Sequence, residues 1–314
     1  MRKKIMSFVL ALTLAGSLCA CGGVTIDGEE KKEEKKTEKE ASSDSGKIGF
    51  SVSTQDNPFF VDLAEGVEKE GKKEGKDVIV VDAGNDPAKQ TSDIEDLVSK
   101  KISVLIVNPV DSDAAAPAVK DAMAAGIKVI ALDRVVNGVD VDCAIASDNV
   151  EGAKMATEYL LEKVGKDGKV AELEGVPGAS ATVDRGKGFH EVADKNLDVV
   201  TSQTANFDRA EGMSVFENML QAQPEIKGVF AHNDEMALGA LQAAAGKKIV
   251  VVGFDATEDA VKAVQDGTMA ATVAQQPVLM GETAVEMAVA LMNGEEVAKD
   301  VPVEVELITE ETAK

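Results

Sequence analysis

Eight polar side chains suited to holding a hydroxylated ligand lie shortly after apolar runs of this sequence. They are Asn57, Asn108, Asp133, Arg134, Arg185, Asn233, Asp255 and Gln275. A carboxylate accepts hydrogen bonds, a guanidinium group donates them in a rigid fork, and a carboxamide does both. Because a hydroxyl group is itself both donor and acceptor, this mixture predicts a site for a small molecule with several hydroxyl groups.

Three phenylalanines accompany these polar residues, namely Phe59, Phe60 and Phe207. The whole sequence has nine phenylalanines, one tyrosine and no tryptophan, so these three are a sizeable share of its aromatic side chains. An aromatic ring offers the flat apolar surface on which the C–H face of a sugar ring packs. For each phenylalanine taken alone, the competing interpretation is a plain core residue.

The elements that must position these residues alternate along the chain from Lys47 onward. Short apolar runs predict strands at 47–53, 77–82, 103–107, 127–132, 143–146, 169–174, 198–203, 228–231, 249–254 and 270–274. Amphipathic segments predict helices at 87–100, 112–125, 149–164, 208–222, 233–245, 256–265 and 277–292. Continuously apolar strands separated by helices indicate parallel sheets covered on both faces. We therefore predict an α/β fold with two doubly wound parallel-sheet domains, whose ligand binds beyond the carboxyl ends of the strands.

The N-terminus has the pattern of a lipoprotein export signal. A positive start, Arg2-Lys3-Lys4, precedes an uncharged apolar stretch at 5–20 that is too short to span a bilayer comfortably. The sequence Leu-Cys-Ala-Cys at 18–21 predicts cleavage before Cys21, which would then carry the lipid. The competing interpretation is an ordinary signal peptide with an incidental cysteine.

Residues 21–46 are predicted to be a disordered, charged spacer, because Glu and Lys blocks leave almost nothing apolar to bury. The net charge of −23 disfavours nucleic acid and anionic lipid surfaces as partners. Once Cys19 leaves with the signal and Cys21 is acylated, Cys143 has no partner, so no disulfide framework is expected.

Catalysis is the first competing function. His190 and His232 sit in no nucleophile or metal motif, and we expect neither a metal nor a cofactor. Asp133 and Asp255 could form a general acid–base pair, but Arg134 and Arg185 are expected to lower their pKa values and so oppose an acid role.

A phosphate-binding loop is suggested superficially by residues 174–180, which follow a strand and precede a helix. The segment lacks both the Gly-Lys-Ser/Thr ending and the Gly-x-Gly-x-x-Gly spacing. A tight turn that delivers the helix bearing Arg185 is the better account.

Several motifs in order give the chain a strong resemblance to the type I family of periplasmic sugar-binding proteins. The motifs are Asp-Asn-Pro-Phe-Phe at 56–60, Asn-Pro-Val-Asp-Ser-Asp at 108–113, Leu-Asp-Arg at 132–134, Ala-Ser-Asp-Asn at 146–149, Asn-Phe-Asp-Arg at 206–209, Asn-Asp-Glu-Met-Ala-Leu-Gly at 233–239 and Gly-Phe-Asp at 253–255. The similarity runs from Lys47 to about Ile308. The departures are the lipid signal, the charged spacer and His232.

The resemblance implies a binding protein that closes around a sugar. It implies one domain at 47–147 plus 276–304 and another at 148–275 plus 305–314, joined by a three-segment hinge. It also implies that the eight polar residues and three phenylalanines contact D-ribose or a closely related monosaccharide. The implied partners are the permease subunits of an ABC importer, and the implied state is a monomer.

Two other functions were weighed against this one. Sugar-responsive transcription regulators share the two-domain core, but they need an N-terminal helix-turn-helix and a basic surface, where this chain has an export signal and an acidic spacer. A receptor for allose, galactose, xylose or a furanosyl signalling molecule stays open, as does presentation of the sugar to a membrane sensor. The absence of tryptophan disfavours galactose, which receptors of this family stack on that residue.

Overall fold

The structure, a computed structural model, describes residues 46–313. The predicted signal peptide at 1–20, the lipidation site Cys21 and all but the last residue of the predicted spacer at 21–46 lie outside this range. Within it, strands and helices alternate and form two six-stranded sheets. None of the helices in this part of the chain is both long and apolar enough to cross a membrane.

The first lobe is built on a sheet in the order β11-β5-β4-β3-β1-β2, in which all neighbours are parallel. Its strands are β1 (Lys47–Val52), β2 (Asp77–Asp82), β3 (Val104–Val107), β4 (Lys128–Leu132), β5 (Cys143–Ser147) and β11 (Asp300–Val303). Its helices are α1 (Pro58–Lys73), α2 (Pro87–Ser99), α3 (Ala116–Ala124) and α9 (Pro277–Met292).

The second lobe repeats this plan, with a sheet in the order β12-β10-β9-β8-β6-β7. Its strands are β6 (Lys169–Glu174), β7 (Asp198–Thr204), β8 (Gly228–Ala231), β9 (Val250–Asp255), β10 (Ala271–Ala274) and β12 (Glu306–Thr309). Its helices are α4 (Asn149–Val164), α5 (Ser180–Asn196), α6 (Arg209–Ala222), α7 (Asp234–Ala243) and α8 (Glu258–Gln265). The chain passes between the two sheets three times, after β5, after β10 and after β11.

Each sheet is buried on both faces, as continuously apolar strands require. In the first lobe, one core contains Phe50 and Ile106 under α1 and α9, and the opposite core contains Leu105 under α2 and α3. The second lobe likewise has one core around Phe216 and another around Phe230. The prediction of two doubly wound α/β domains is confirmed.

Three details differ from the predictions. Helix α3 begins at Ala116 rather than at residue 112, because the Asp111 carboxylate accepts hydrogen bonds from the backbone N–H groups of Asp113 and Ala114 and holds this stretch in a turn. Strand β12 pairs antiparallel with β10, so the second sheet is mixed at one edge. The short strand β11 and helix α1 were not among the periodic segments identified.

Candidate functional site

Helix and strand ends place the predicted site residues between the lobes. Asn57 caps α1, where its Oδ1 accepts a 2.9 Å hydrogen bond from the backbone N–H of Phe59. Asn233 caps α7 in the same way, accepting from Met236 at 3.0 Å. Asp255 is the last residue of β9. These positions follow from parallel topology, because the carboxyl ends of the strands and the N-termini of the following helices meet at one edge.

Ten of the eleven predicted residues line one narrow space between the lobes. The first lobe contributes Asn57, Phe59, Phe60, Asp133 and Arg134, and the second contributes Arg185, Phe207, Asn233, Asp255 and Gln275. All except the half-buried Phe207 are buried.

Asn108 is brought close but does not line this space. Its Nδ2 donates to Oδ2 of Asp133 at 3.0 Å and to the carbonyl of Leu132 at 3.1 Å, and its Oδ1 accepts from the backbone N–H of Ser53. Both amide protons of Asn108 are therefore engaged within the protein. In this conformation the residue orients Asp133 instead of facing the space itself.

In the first lobe, Arg134 and the phenylalanines form one wall. The guanidinium carbon of Arg134 lies 5.1 Å from the ring centre of Phe60 and 5.5 Å from that of Phe207 in the other lobe. Its Nη1 donates to the carbonyl of Pro109 at 2.9 Å. The cation is thus held between two aromatic faces with its planar fork fixed.

In the second lobe, Arg185, Asp255 and Gln275 form a connected group. Nε of Arg185 donates to Oδ1 of Asn149 at 2.8 Å, and its guanidinium carbon lies 3.8 Å from the ring centre of Phe254. Nη1 of Arg185 lies 3.7 Å from Oδ1 of Asp255. The same carboxylate oxygen accepts a 2.6 Å hydrogen bond from Nε2 of Gln275.

Buried polar atoms without a partner concentrate at this site. Within residues 46–313 they are Ser53 Oγ, Asp133 Oδ1, Arg134 Nε and Gln275 Oε1, and the last three belong to residues that line the space. An unsatisfied buried polar atom costs roughly 1–3 kcal/mol, so such atoms are rare in folded proteins. Two acceptors and one donor on residues that line one space indicate a ligand that both donates and accepts hydrogen bonds.

The electrostatics of the site are dominated by burial. Loss of water raises the pKa of Asp133 and raises that of Asp255 to about 7, although the neighbouring arginines act in the opposite direction. Burial also lowers the pKa of Arg134 to about 10. The arginines lower the carboxyl pKa values as expected, but both pKa values are raised overall, because desolvation exceeds the attraction of the arginines. In a site without water, hydrogen bonds to a ligand are electrostatically stronger than they are in water.

The sequence argument missed some contributors to the site. Ala181, at the start of α5, lines the space but has no polar group to draw attention to it. Gly175 provides the room that the Phe207 ring needs, since a Cβ atom at position 175 would lie 2.0 Å from that ring. The segment considered as a phosphate loop thus serves to seat this ring. In the part of the chain that the structure describes, no group of acidic, histidine and cysteine side chains is arranged to hold a metal ion.

The lobes also touch outside the ligand space. Ser112 of the first lobe donates from its backbone N–H to the carbonyl of Gly178 at 3.0 Å, and its Oγ accepts from the backbone N–H of Ser180 at 3.3 Å. The Ser180 hydroxyl in turn accepts from the backbone N–H of Val135 at 3.1 Å. These bonds hold the lobes together around the site.

Known proteins are similar to this chain over most of its length. The chain is 49% identical over 310 residues to the ribose import binding protein RbsB of Bacillus subtilis, covering 98% of this chain and 99% of the relative. It is 47% identical over 268 residues to the protein of the same name from Escherichia coli K12, covering 84% and 90%. A solved ABC transporter solute binding protein from Bacillus halodurans C-125, with bound myo-inositol, superposes with a TM-score of 0.82 at 34% identity, covering 87% of this chain and 98% of that one.

The family assignment follows from the extent of these matches. The model of the periplasmic binding protein domain matches residues 48–296, which contain both sheets except for the last two strands. The chain belongs to the periplasmic binding protein family.

Proposed function

We propose that this protein captures D-ribose between its two lobes and delivers it to an ABC importer. The observation that carries the proposal is the set of unsatisfied buried donor and acceptor atoms on Asp133, Arg134 and Gln275. A monosaccharide would satisfy both kinds of atom at once, and Phe59, Phe60 and Phe207 would cover the apolar faces of its ring. The names of the relatives from B. subtilis and E. coli support ribose as the sugar and import as the purpose.

The proposed mechanism is closure around the sugar. The two bodies that move would be residues 47–147 plus 276–304 and residues 148–275 plus 305–314, and the three crossings between the sheets would form the hinge. A sugar that contacts both lobes stabilises the closed form, which is a shift of population and needs no chemical step. The permease subunits of the importer would then recognise the closed form.

The proposed role is binding and not catalysis. Asp133 and Asp255 are the two carboxyl groups that line the ligand space, and they already accept hydrogen bonds from Asn108 and Gln275 respectively. We interpret them as acceptors for sugar hydroxyls that Arg134 and Arg185 balance in charge. No cofactor is required.

The protein would act outside the cytoplasm, tethered by lipid on Cys21, with residues 21–46 as a spacer between membrane and lobes. We expect the sugar-binding form to be a monomer. Incorporation of labelled palmitate tests the anchor. The wild-type protein should become labelled, with no form of it released from the membrane, whereas a Cys21→Ser variant should be unlabelled.

A second candidate is a receptor for another cyclic polyol. The structural neighbour with bound myo-inositol favours this alternative, since its fold and size match this chain. Allose, galactose, xylose and furanosyl molecules belong to the same class, and presentation to a membrane sensor is compatible with the same site.

Isothermal titration of the full chain with D-ribose, allose, galactose, myo-inositol and 2-deoxyribose distinguishes these candidates. A site that bonds every hydroxyl should reject the deoxy analogue by as much as about 10⁴-fold, because the buried partners of the missing hydroxyl remain unsatisfied. Tight ribose binding with that rejection supports the proposal. Heat with another sugar but none with ribose would mean that the protein is a receptor for that other sugar. No heat with any of the five would contradict both candidate functions.

A further inference from the structure

The turn that carries Asp255 has an unusual backbone. Asp255 has φ of 128° and Ala256 has φ of 54°, so two consecutive residues other than glycine occupy positive φ. Positive φ is unfavourable for residues with a Cβ atom, and it persists only where the surroundings hold it in place. The turn at 255–257 therefore requires something that restrains it.

Two fully buried side chains supply that restraint, and together they form what we term the Asp234–Thr272 clamp. Oγ1 of Thr272 accepts a 3.2 Å hydrogen bond from the backbone N–H of Ala256. Oδ2 of Asp234 accepts a 2.8 Å bond from the backbone N–H of Thr257 and a 3.3 Å bond from its hydroxyl. The two clamp residues are joined by a 2.6 Å bond from Thr272 Oγ1 to Asp234 Oδ1.

The clamp lies behind the site, since neither of its residues lines the ligand space. Gly253 makes room for it, because a Cβ atom at that position would lie 2.3 Å from Oδ1 of Asp234. Burial raises the pKa of Asp234 well above its ordinary value, and the nearby carboxyl of Asp255 adds to this effect. Burial of a carboxyl group costs free energy that burial of an apolar side chain does not, which favours a role for Asp234 other than packing.

We propose that Asp234 and Thr272 are positioning residues for sugar binding. By fixing the N–H groups of residues 256 and 257, they keep the turn in the one conformation that presents the carboxylate of Asp255 to the ligand space. The side chain of Asp255 is in turn oriented by Gln275. The backbone and the side chain of Asp255 are therefore both held in place before a ligand binds. The inference rests on the proposed function, because it concerns how that site gains its affinity.

Thr272→Val is the direct test, because valine keeps the shape of threonine and removes only the hydroxyl. In the full chain, we expect the Kd for D-ribose to rise about tenfold or more, the effect of losing roughly one well-placed hydrogen bond. In an Asp255→Asn background, whose weaker binding is followed at high sugar concentration, the same substitution should change Kd less than about twofold. Non-additivity of this kind is the signature of one residue acting through another.

Conservative and distant variants serve as controls. Asp234→Asn keeps an acceptor for Thr257 and a group that bonds Thr272, so it should bind ribose within about threefold of wild type, whereas Asp234→Ala should match or exceed the loss in Thr272→Val. Thr268→Val removes an exposed hydroxyl of the same lobe and should leave Kd unchanged. If Thr272→Val does not fold, the contrast between the two Asp234 variants carries the same test.

Either of two results would overturn the inference: an unchanged Kd in Thr272→Val, or an equal loss in both backgrounds. Failure of the proposed function looks different, since the wild-type chain itself would then bind no ribose. In that case a crystal structure of Thr272→Val still decides, because φ of Asp255 should leave the positive region when the clamp is broken. A turn that keeps its positive φ would overturn the inference whatever the ligand.

Discussion

Gln275 and Asp255 form a directed pair at the carboxyl ends of β10 and β9: Nε2 of the amide donates to Oδ1 of the carboxylate at 2.6 Å. This bond determines which way the amide faces, and it leaves Oε1 of Gln275 buried without a partner. The amide thus orients an acceptor and presents another one at the same time.

Replacement of Gln275 by leucine should therefore remove two functions with one substitution. We expect Gln275→Leu to raise the Kd for D-ribose about 30-fold or more, because one acceptor is lost and a second loses its orienting bond, each of these worth about 1 kcal/mol or more. Isothermal titration measures the change. Gln221→Leu, on the exposed side of α6, is the matched control, and an equal loss in both variants would contradict the role assigned to Gln275.

Arg134 should be necessary for binding but not for folding. Its Nε is an unsatisfied buried donor, and its guanidinium group lies between Phe60 and Phe207 of opposite lobes. We expect Arg134→Ala to raise Kd at least about 100-fold, since truncation of a buried charged partner costs about 2–5 kcal/mol. The circular dichroism spectrum should stay that of the wild type.

Arg209→Ala provides the comparison for this substitution, because Arg209 pairs with Glu235 and Asp259 outside the predicted set of contacts. Unchanged ribose affinity in Arg134→Ala would reject the assignment of Arg134 to the site. A loss of the same size in Arg209→Ala would show that any missing arginine weakens binding.

The sequence allowed much of this arrangement to be predicted, because parallel topology links each apolar run to the residues that follow it. Asp133 could be placed at the carboxyl edge of one sheet, and Asn233 and Gln275 at that of the other, without knowledge of any contact, since periodicity reports which strands are buried. It does not report backbone conformation at the strand ends. Asp133, Phe207 and Asp255 all have positive φ, which their residue types do not predict.

Contacts between residues that are distant in the sequence could not be predicted from the hydrophobic pattern either. Asn108 was predicted to face the ligand, yet its amide turns toward Asp133 and Leu132, because a backbone carbonyl and a carboxylate lie there to accept its protons. The partnership of Asp234 with Thr272 spans 38 residues and joins a helix start to a strand. Such pairings depend on tertiary packing and leave no trace in local periodicity.

Ser180 should influence affinity without contacting the sugar. Its hydroxyl accepts from the backbone N–H of Val135 in the opposite lobe, so Ser180→Ala removes a bond that exists only while the lobes are together. We expect Kd for ribose to rise about three- to tenfold, through a faster dissociation rate, because a typical hydrogen bond contributes about 1 kcal/mol. Stopped-flow measurements separate the two rates.

The exposed Ser92 on α2 offers a control, and Ser92→Ala should leave both rates unchanged. A slower association rate with normal dissociation in Ser180→Ala would argue against a contact that acts after closure.

Asp255 should lower the stability of the ligand-free protein at neutral and alkaline pH. Burial raises its pKa from 3.8 to about 7, so in the folded state this carboxyl holds its proton more tightly than in the unfolded chain. Its favourable contribution is complete below the unfolded value and is lost as pH rises through about 7. Asp255→Asn mimics the protonated form at every pH. It should therefore be more stable than wild type at pH 8, by up to about 4 kcal/mol for a shift of this size, with the difference disappearing toward pH 4.

Urea unfolding of both proteins between pH 4 and pH 8 measures this difference, with Asp121→Asn on the exposed side of α3 as the control for loss of an ordinary carboxylate. The same Asp255→Asn variant should bind ribose at least about 100-fold more weakly, because it loses a charged acceptor for the sugar hydroxyls. A gain in stability combined with a loss of affinity would show that Asp255 contributes to sugar binding while it destabilises the folded protein. Lower stability than wild type at pH 8 would mean that the ion pair with Arg185 outweighs the desolvation of Asp255.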